Sequence, residues 1–187
     1  MIGNYLDAFT DVLKQTIITD QKGNPIQDPS AYAGMIRRLE ELRSQQGTLY
    51  LIGNGGSSGI ISHTGIDLLN KCHIKAYPVT DNSMLTCLSN DYGYENVFLK
   101  VLEKSAVAKD GLIAVSSSGQ SGSIVNAARW AAQQGMYVIT LSGFSAENPL
   151  RSAGDINFWL NSKNYGHVEI GHSLLLHILT DALWLQP

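Results

Sequence analysis

Four ionisable residues recur in two pairs at helical spacing. His63 and Asp67 are four positions apart, which on a helix puts them on one face, one turn above the other. Glu169 and His177 are eight apart and also share a face, with His172 roughly 60° from Glu169 on a 3.6-residue wheel. Two imidazoles and two carboxylates form a donor set that suits zinc, and the same groups can transfer protons without a metal. A polar surface strip, a local His–Asp hydrogen bond or a buried histidine satisfied by a carboxylate would show the same spacing.

Two loops carry a different chemistry. In Leu51-Ile52-Gly53-Asn54-Gly55-Gly56-Ser57-Ser58 three glycines within four positions separate an apolar run from a helical pattern. They let the backbone turn sharply and approach a ligand, while Ser57 can cap the helix. In Ser116-Ser117-Ser118-Gly119-Gln120-Ser121 four hydroxyl residues precede a second helix, where each can donate a hydrogen bond to a phosphate that the helix dipole also favours. Singly, either loop reads as a tight turn or a flexible linker. Neither ends in Gly-Lys-Ser/Thr, and Gly53-x-Gly55 lacks the third glycine of a dinucleotide fingerprint, so ATP and NAD are poor fits.

Strand-loop-helix units must position these groups. Short apolar runs predict strands near Leu49–Ile52, Ile74–Val79, Leu112–Val115, Tyr137–Leu141 and Ile156–Leu160. Helical periodicity predicts helices over Ser57–Asn70, Tyr94–Ala108, Ser121–Gln134 and Val168–Leu185, with a shorter one near Ser83–Ser89. Two leading helices precede them, Ile2–Ile18 and Pro29–Gln45, joined by an exposed turn at Asp20–Pro25. The fold class is α/β: a three-layer α/β/α sandwich on a five-stranded parallel sheet, residues 1–187 forming one domain. Such sheets bind ligands beyond the carboxyl ends of their strands.

Thirteen Lys+Arg against sixteen Asp+Glu give a formal charge of −3, which predicts no general attraction to nucleic acid or to anionic membrane. An anionic ligand has to be held locally. No apolar run approaches the ~20 residues of a membrane span, and Cys72 and Cys87 form no C-x-x-C pair, which together suggest a cytoplasmic protein. Trp130, Trp159 and Trp184 sit in apolar patterns and read as core or subunit contacts. Lys71, one turn beyond Asp67, reads as a solvated lysine, or as a second holder of sugar hydroxyls or phosphate.

Taken in order, Gly53-Asn54-Gly55-Gly56-Ser57, then His63 and Asp67, Asn90-Asp91-Tyr92-Gly93, Ser116-Ser117-Ser118-Gly119-Gln120-Ser121, and finally Glu169 with His177 resemble the successive motifs of bacterial phosphoheptose isomerases, members of the sugar isomerase (SIS) family. The resemblance runs from about Ile2 to Leu185. It implies conversion of sedoheptulose 7-phosphate to a D-manno-heptose 7-phosphate for surface glycans, by a homotetramer with sites at subunit boundaries and, in many members, zinc. It implies phosphate on Ser57, Ser116, Ser117, Ser118 and Ser121, and sugar near Asn54, Gly55, Gly56, Asn90, Asp91 and Glu169. Metal or proton transfer would fall to His63, Asp67, Glu169 and His177. The pattern departs from its best-known members, which have glutamate at the position of Asp67 and glutamine at that of Glu169. Aspartate retracts the carboxylate by about 1.5 Å, a shift that proton transfer feels.

An aldose–ketose isomerase removes a proton from the carbon beside a carbonyl, returns it one carbon over, and moves a second proton between the oxygens. Asp67 as the carbon base with His177 as its acid/base partner fits that need. A non-catalytic sugar-phosphate sensor or adaptor, and an isomerase of another sugar phosphate, remain the alternatives. A sensor needs only the serine loops.

Overall fold

The structure is a computed structural model that describes residues 1–184. Its sheet has six strands in the order β1-β6-β5-β4-β2-β3, where β1 is Ile17–Asp20, β2 Thr48–Gly53, β3 Lys75–Pro78, β4 Gly111–Ser116, β5 Tyr137–Ser142 and β6 Ile156–Trp159. All neighbours are parallel except β1, which runs antiparallel along the edge of β6. The sandwich is therefore the expected one with one strand more.

The extra strand corrects the first expected helix, which stops early. Helix α1 spans Ile2–Lys14, and the run Thr16-Ile17-Ile18-Thr19 that follows is β-branched, stiff at χ1 and better suited to a pleated surface. The apolar spacing of Val12, Leu13 and Ile17 carries a helical rhythm across that break. Ile18 and Thr19 are buried in the edge strand, and the Asp20 carboxylate accepts the N–H groups of Lys22 and Asn24, each at 2.8 Å, to turn the chain.

Helices α2 (Asp28–Ser44), α3 (Gly56–Asn70) and α7 (Tyr165–Trp184) cover one face of the sheet; α4 (Asn82–Tyr92), α5 (Val97–Ser105) and α6 (Gly122–Gln133) cover the other. The expected Tyr94–Ala108 helix begins instead with a 3-10 turn at Tyr94–Asn96, and Leu185, the expected end of the last helix, lies outside the described residues. Strand side chains alternate between the layers: Leu49 and Leu51 face α2, α3 and α7, whereas Tyr50 and Ile52 face the others. Leu68 of α3 and Leu176 of α7 are buried between helix and sheet, where truncation to alanine costs about 2–5 kcal/mol. These contacts fix the two helices that carry His63, Asp67, Glu169 and His177.

Strand β4 pairs with β2 on one side and β5 on the other. From β2 the chain moves outward to β3, and from β4 it moves the other way, so the loops after β2 and β4 diverge and leave a crevice. Those are the glycine loop and the serine loop.

Candidate active site

The glycines of the first loop each answer a steric demand. A Cβ on Gly53 would stand 2.9 Å from the Ser57 backbone, Gly55 caps α3 with φ +53°, and a Cβ on Gly56 would meet the Glu169 carboxylate at 2.5 Å. Beyond β4, Ser116 Oγ accepts the Gly119 N–H at 3.2 Å and Ser118 Oγ accepts that of Gln120 at 3.2 Å. Gly119 has φ +65°, and a Cβ there would collide with Asn148. Asn148 is itself buried and donates to the carbonyls of Gly143 and Ser145, which fixes its own turn; that turn is tied to the serine loop by the Gly143 N–H on the Ser117 carbonyl at 3.0 Å and the Leu150 N–H on that of Gly119 at 3.2 Å.

The two loops enclose a cavity of about 230 Å³ lined by Asn54, Gly55, Gly56, Ser57, Val115, Ser116, Ser117, Ser118, Ser121, Tyr165 and Glu169. No lysine or arginine lines it. Helices α3 and α6 both begin here, and neither is capped by a side chain, so first-turn N–H groups are available to an anion together with the positive ends of two helix dipoles. A phosphate fits these donors. Every expected phosphate residue lies in the lining.

The second set lies farther along α3 and on α7. Asp67 is buried; its Oδ1 is 3.0 Å from Lys71 Nζ, and its Oδ2 is 3.6 Å from both His63 Nε2 and His177 Nδ1. The two imidazole rings are 5.2 Å apart. At 3.6 Å no hydrogen bond forms, and Oδ2 is a buried acceptor without a partner. One metal-ligating atom from each of His63, Asp67 and His177 falls within 4.8 Å of the others. Ligands on a tetrahedral zinc stand about 3.3 Å apart, so the donor types and the unpartnered oxygen both fit that ion. Lys71, read from sequence as solvated, is instead the ion-pair partner of Asp67.

Other expected residues are placed differently. Glu169 joins the serine cavity rather than the His63–Asp67–His177 cluster, because eight residues of helix separate it from His177 by about 12 Å. Asn90 and Asp91 are exposed at the end of α4, bonded to each other at 3.1 Å and outside the cavity lining. His172 is fully buried and bonds the Ser142 carbonyl at 3.2 Å; burial pushes its pKa down from 6.5 to about 4, against the carbonyl, which raises it. It ties α7 to the end of β5 as a neutral ring.

Sequence reasoning missed four residues. Tyr165 lies one turn before Glu169, a spacing that could have revealed it. Tyr94 donates to Asn54 Oδ1 at 2.7 Å, and Asn54 Nδ2 donates to Ser123 Oγ at 3.0 Å, so the asparagine is held at both ends. Asn148 gave no signal, since its work is to brace a distant loop.

Residues 4–143 match the family model described as the SIS domain. The chain is 35% identical over 189 residues to the phosphoheptose isomerase of Shewanella denitrificans, covering 97% of this chain and 94% of that protein. It superposes on phosphoheptose isomerase GmhA from Neisseria gonorrhoeae with a TM-score of 0.82 at 22% identity, over 97% of each chain. The phosphoheptose isomerase from Francisella tularensis gives a TM-score of 0.82 at 25% identity, over 97% of this chain and 95% of that one.

Proposed function

The chain belongs to the phosphoheptose isomerase family of SIS-domain proteins, and from that premise we propose that it converts sedoheptulose 7-phosphate to D-glycero-D-manno-heptose 7-phosphate. It is a sugar-phosphate isomerase. The observation that carries the sugar-phosphate chemistry is the pairing of a serine-lined cavity at two helix starts, with no lysine or arginine among its described lining residues, with a buried carboxylate that leaves one oxygen unpartnered between two imidazoles.

Serine hydroxyls and the α3 and α6 N–H groups take the phosphate. Asp67 removes a proton from C1 of the ketose, the electron pair forms the C1=C2 bond, and the carbonyl oxygen takes a proton to give an enediol. His177 moves the oxygen-bound protons, O1 losing one as C2 regains hydrogen, which leaves the aldehyde at C1. Lys71 holds Oδ1, which leaves Oδ2, the oxygen between the two imidazoles, to act as the base. In a metal-bound form His63, Asp67 and His177 would hold zinc, which would polarise the sugar carbonyl as a Lewis acid, and Asp67 Oδ2 would then be a ligand rather than the base.

The reach of the substrate supports an oligomer. Ten residues of helix separate Ser57 from Asp67, about 15 Å along the axis, whereas an extended seven-carbon chain of ~1.5 Å bonds spans about 10 Å from C1 to phosphorus. We propose that the cavity of one copy is served by the cluster of another, which would also bring one copy's Glu169 to its neighbour's histidines. Exposed Ile66 and Leu69 on α3 and Ile170, Leu174 and Ile178 on α7 offer the apolar surface for such contact. We propose a homotetramer in the cytoplasm, of which the shared site itself needs two copies. The test is turnover of sedoheptulose 7-phosphate by the purified protein, with and without zinc. Turnover is expected; tight binding of the sugar phosphate with no turnover under either condition would identify a sensor instead.

A further inference from the structure

A second cavity, of about 490 Å³, lies behind the short edge strand β3, and nothing in the isomerase reaction uses it. Tyr77 lines it, 41% exposed and edge-on to buried Tyr50, which lines it too, with the ring centroids 5.8 Å apart. Met84 and Leu88, one turn apart on α4, form an apolar wall. Lys75, Lys100 and Lys104 also line the cavity and no acidic side chain does, whereas the serine cavity has no cation at all. Lys100 is engaged by Glu103 at 2.7 Å and lies over the Tyr92 ring. Lys75 and Lys104 are exposed and have no ion-pair partner among the described residues.

We propose that this cavity binds a planar ring carrying phosphate, the chemistry of a nucleotide, and that its occupancy is felt at Asn90 and Asp91. The flat ring lies on Tyr77 beside Met84 and Leu88, where stacking and apolar contact hold it. The phosphate meets Lys75 and Lys104. A bare polyanion would leave the apolar wall unused, and an uncharged ring would leave the amines unused. A lysine on an edge strand also discourages strand-to-strand aggregation, but that explains only Lys75, since Lys100 and Lys104 are on α5. The link to the reaction is α4: none of its residues is buried, Leu88 lines the cavity, and Asp91 follows three positions later. That half rests on the reading of Asn90 and Asp91 as sugar contacts.

Calorimetric titration of the purified protein with ADP, adenosine and pyrophosphate tests the proposal. ADP is expected to bind about tenfold tighter than either fragment, and the double variant Lys75→Ala with Lys104→Ala to weaken ADP by about tenfold while keeping its turnover without ADP. Sedoheptulose 7-phosphate should not displace ADP, and ADP should change KM by about twofold or more. No binding at millimolar ADP overturns the site. Displacement by the sugar phosphate, or loss of ADP binding in Ser118→Asp, would put the ADP phosphate in the serine cavity and overturn it equally. Binding with an unchanged KM overturns the role at α4. ADP binding that persists in a protein inert to every sugar phosphate would leave this site standing while the isomerase reading falls.

Discussion

The serine cavity and the His63–Asp67–His177 cluster share α3 and α7, the cavity adding the serine loop and the start of α6, and are built in opposite ways. The cavity is made mostly of backbone and hydroxyls: glycines that admit close approach, N–H groups at two helix starts, and serines that rotate to suit, with Glu169 as its one charged lining residue. The cluster is made of side chains in mid-helix, where a buried carboxylate divides its oxygens between a lysine and two imidazoles. Neutral dipoles hold an anion without committing any proton. Ionisable groups move protons but would be neutralised by a phosphate salt bridge. Keeping the two apart lets binding and chemistry be altered separately.

The largest separation is expected from the cluster. Asp67→Asn or His177→Ala should lower turnover by roughly 10²–10⁴-fold with phosphate-dependent ligand affinity retained, measured by steady-state kinetics and calorimetry on the same preparations. If both variants keep wild-type turnover, the proton-transfer assignment is wrong. The converse change is Gly119→Ala, which forces a side chain onto Asn148 at positive φ and strains the serine loop by about 1–3 kcal/mol. It should raise KM by about ten- to a hundredfold and leave kcat nearly unchanged; an equal fall in kcat would mean that the loop does more than bind.

A smaller effect is expected at Lys71. Lys71→Met should lower kcat by about tenfold, shift the pH profile and weaken zinc retention, with Lys71→Arg restoring most of each. A variant that changes only thermal stability would make the ion pair structural. His172 should affect activity least, but it sets an acid limit. Its folded pKa of about 4 lies below the ordinary 6.5, so above pH 6.5 it is neutral in both states and its contribution is fully present. As pH falls from 6.5 to about 4 the unfolded chain takes up the proton first, and about 3 kcal/mol of stability is lost. Urea midpoints across that range should fall in the wild type and run flatter in His172→Gln.

Much of this was legible in the sequence because parallel strands buried on both faces read as apolar runs, and because glycine and serine loops between strand and helix have few other uses. The helical spacing of His63 with Asp67 also survived folding unchanged. What failed was information held in tertiary context. Ile17 keeps a helical rhythm with Val12 and Leu13 but leaves the helix to pair with Trp159. Helical phase put Glu169 and His177 on one face, yet phase says nothing of the axial separation that assigns Glu169 to the cavity. Lys71 looked solvated because a one-turn spacing does not reveal whether its partner is buried, and Asn148 acts through a loop some thirty residues away in the chain.

The central claim is that the cavity of one copy works with the cluster of another, and subunit complementation tests it most directly. Ser118→Asp, which places a carboxylate at the proposed phosphate site, and Asp67→Asn should each be inactive alone. Co-expressed in equal amounts under separate tags and purified through both, they are predicted to recover about a quarter of the wild-type sites, each with an intact cavity from one variant and an intact cluster from the other. Sedoheptulose 7-phosphate turnover no higher than that of either variant, in an assembly shown to contain both, would contradict the account.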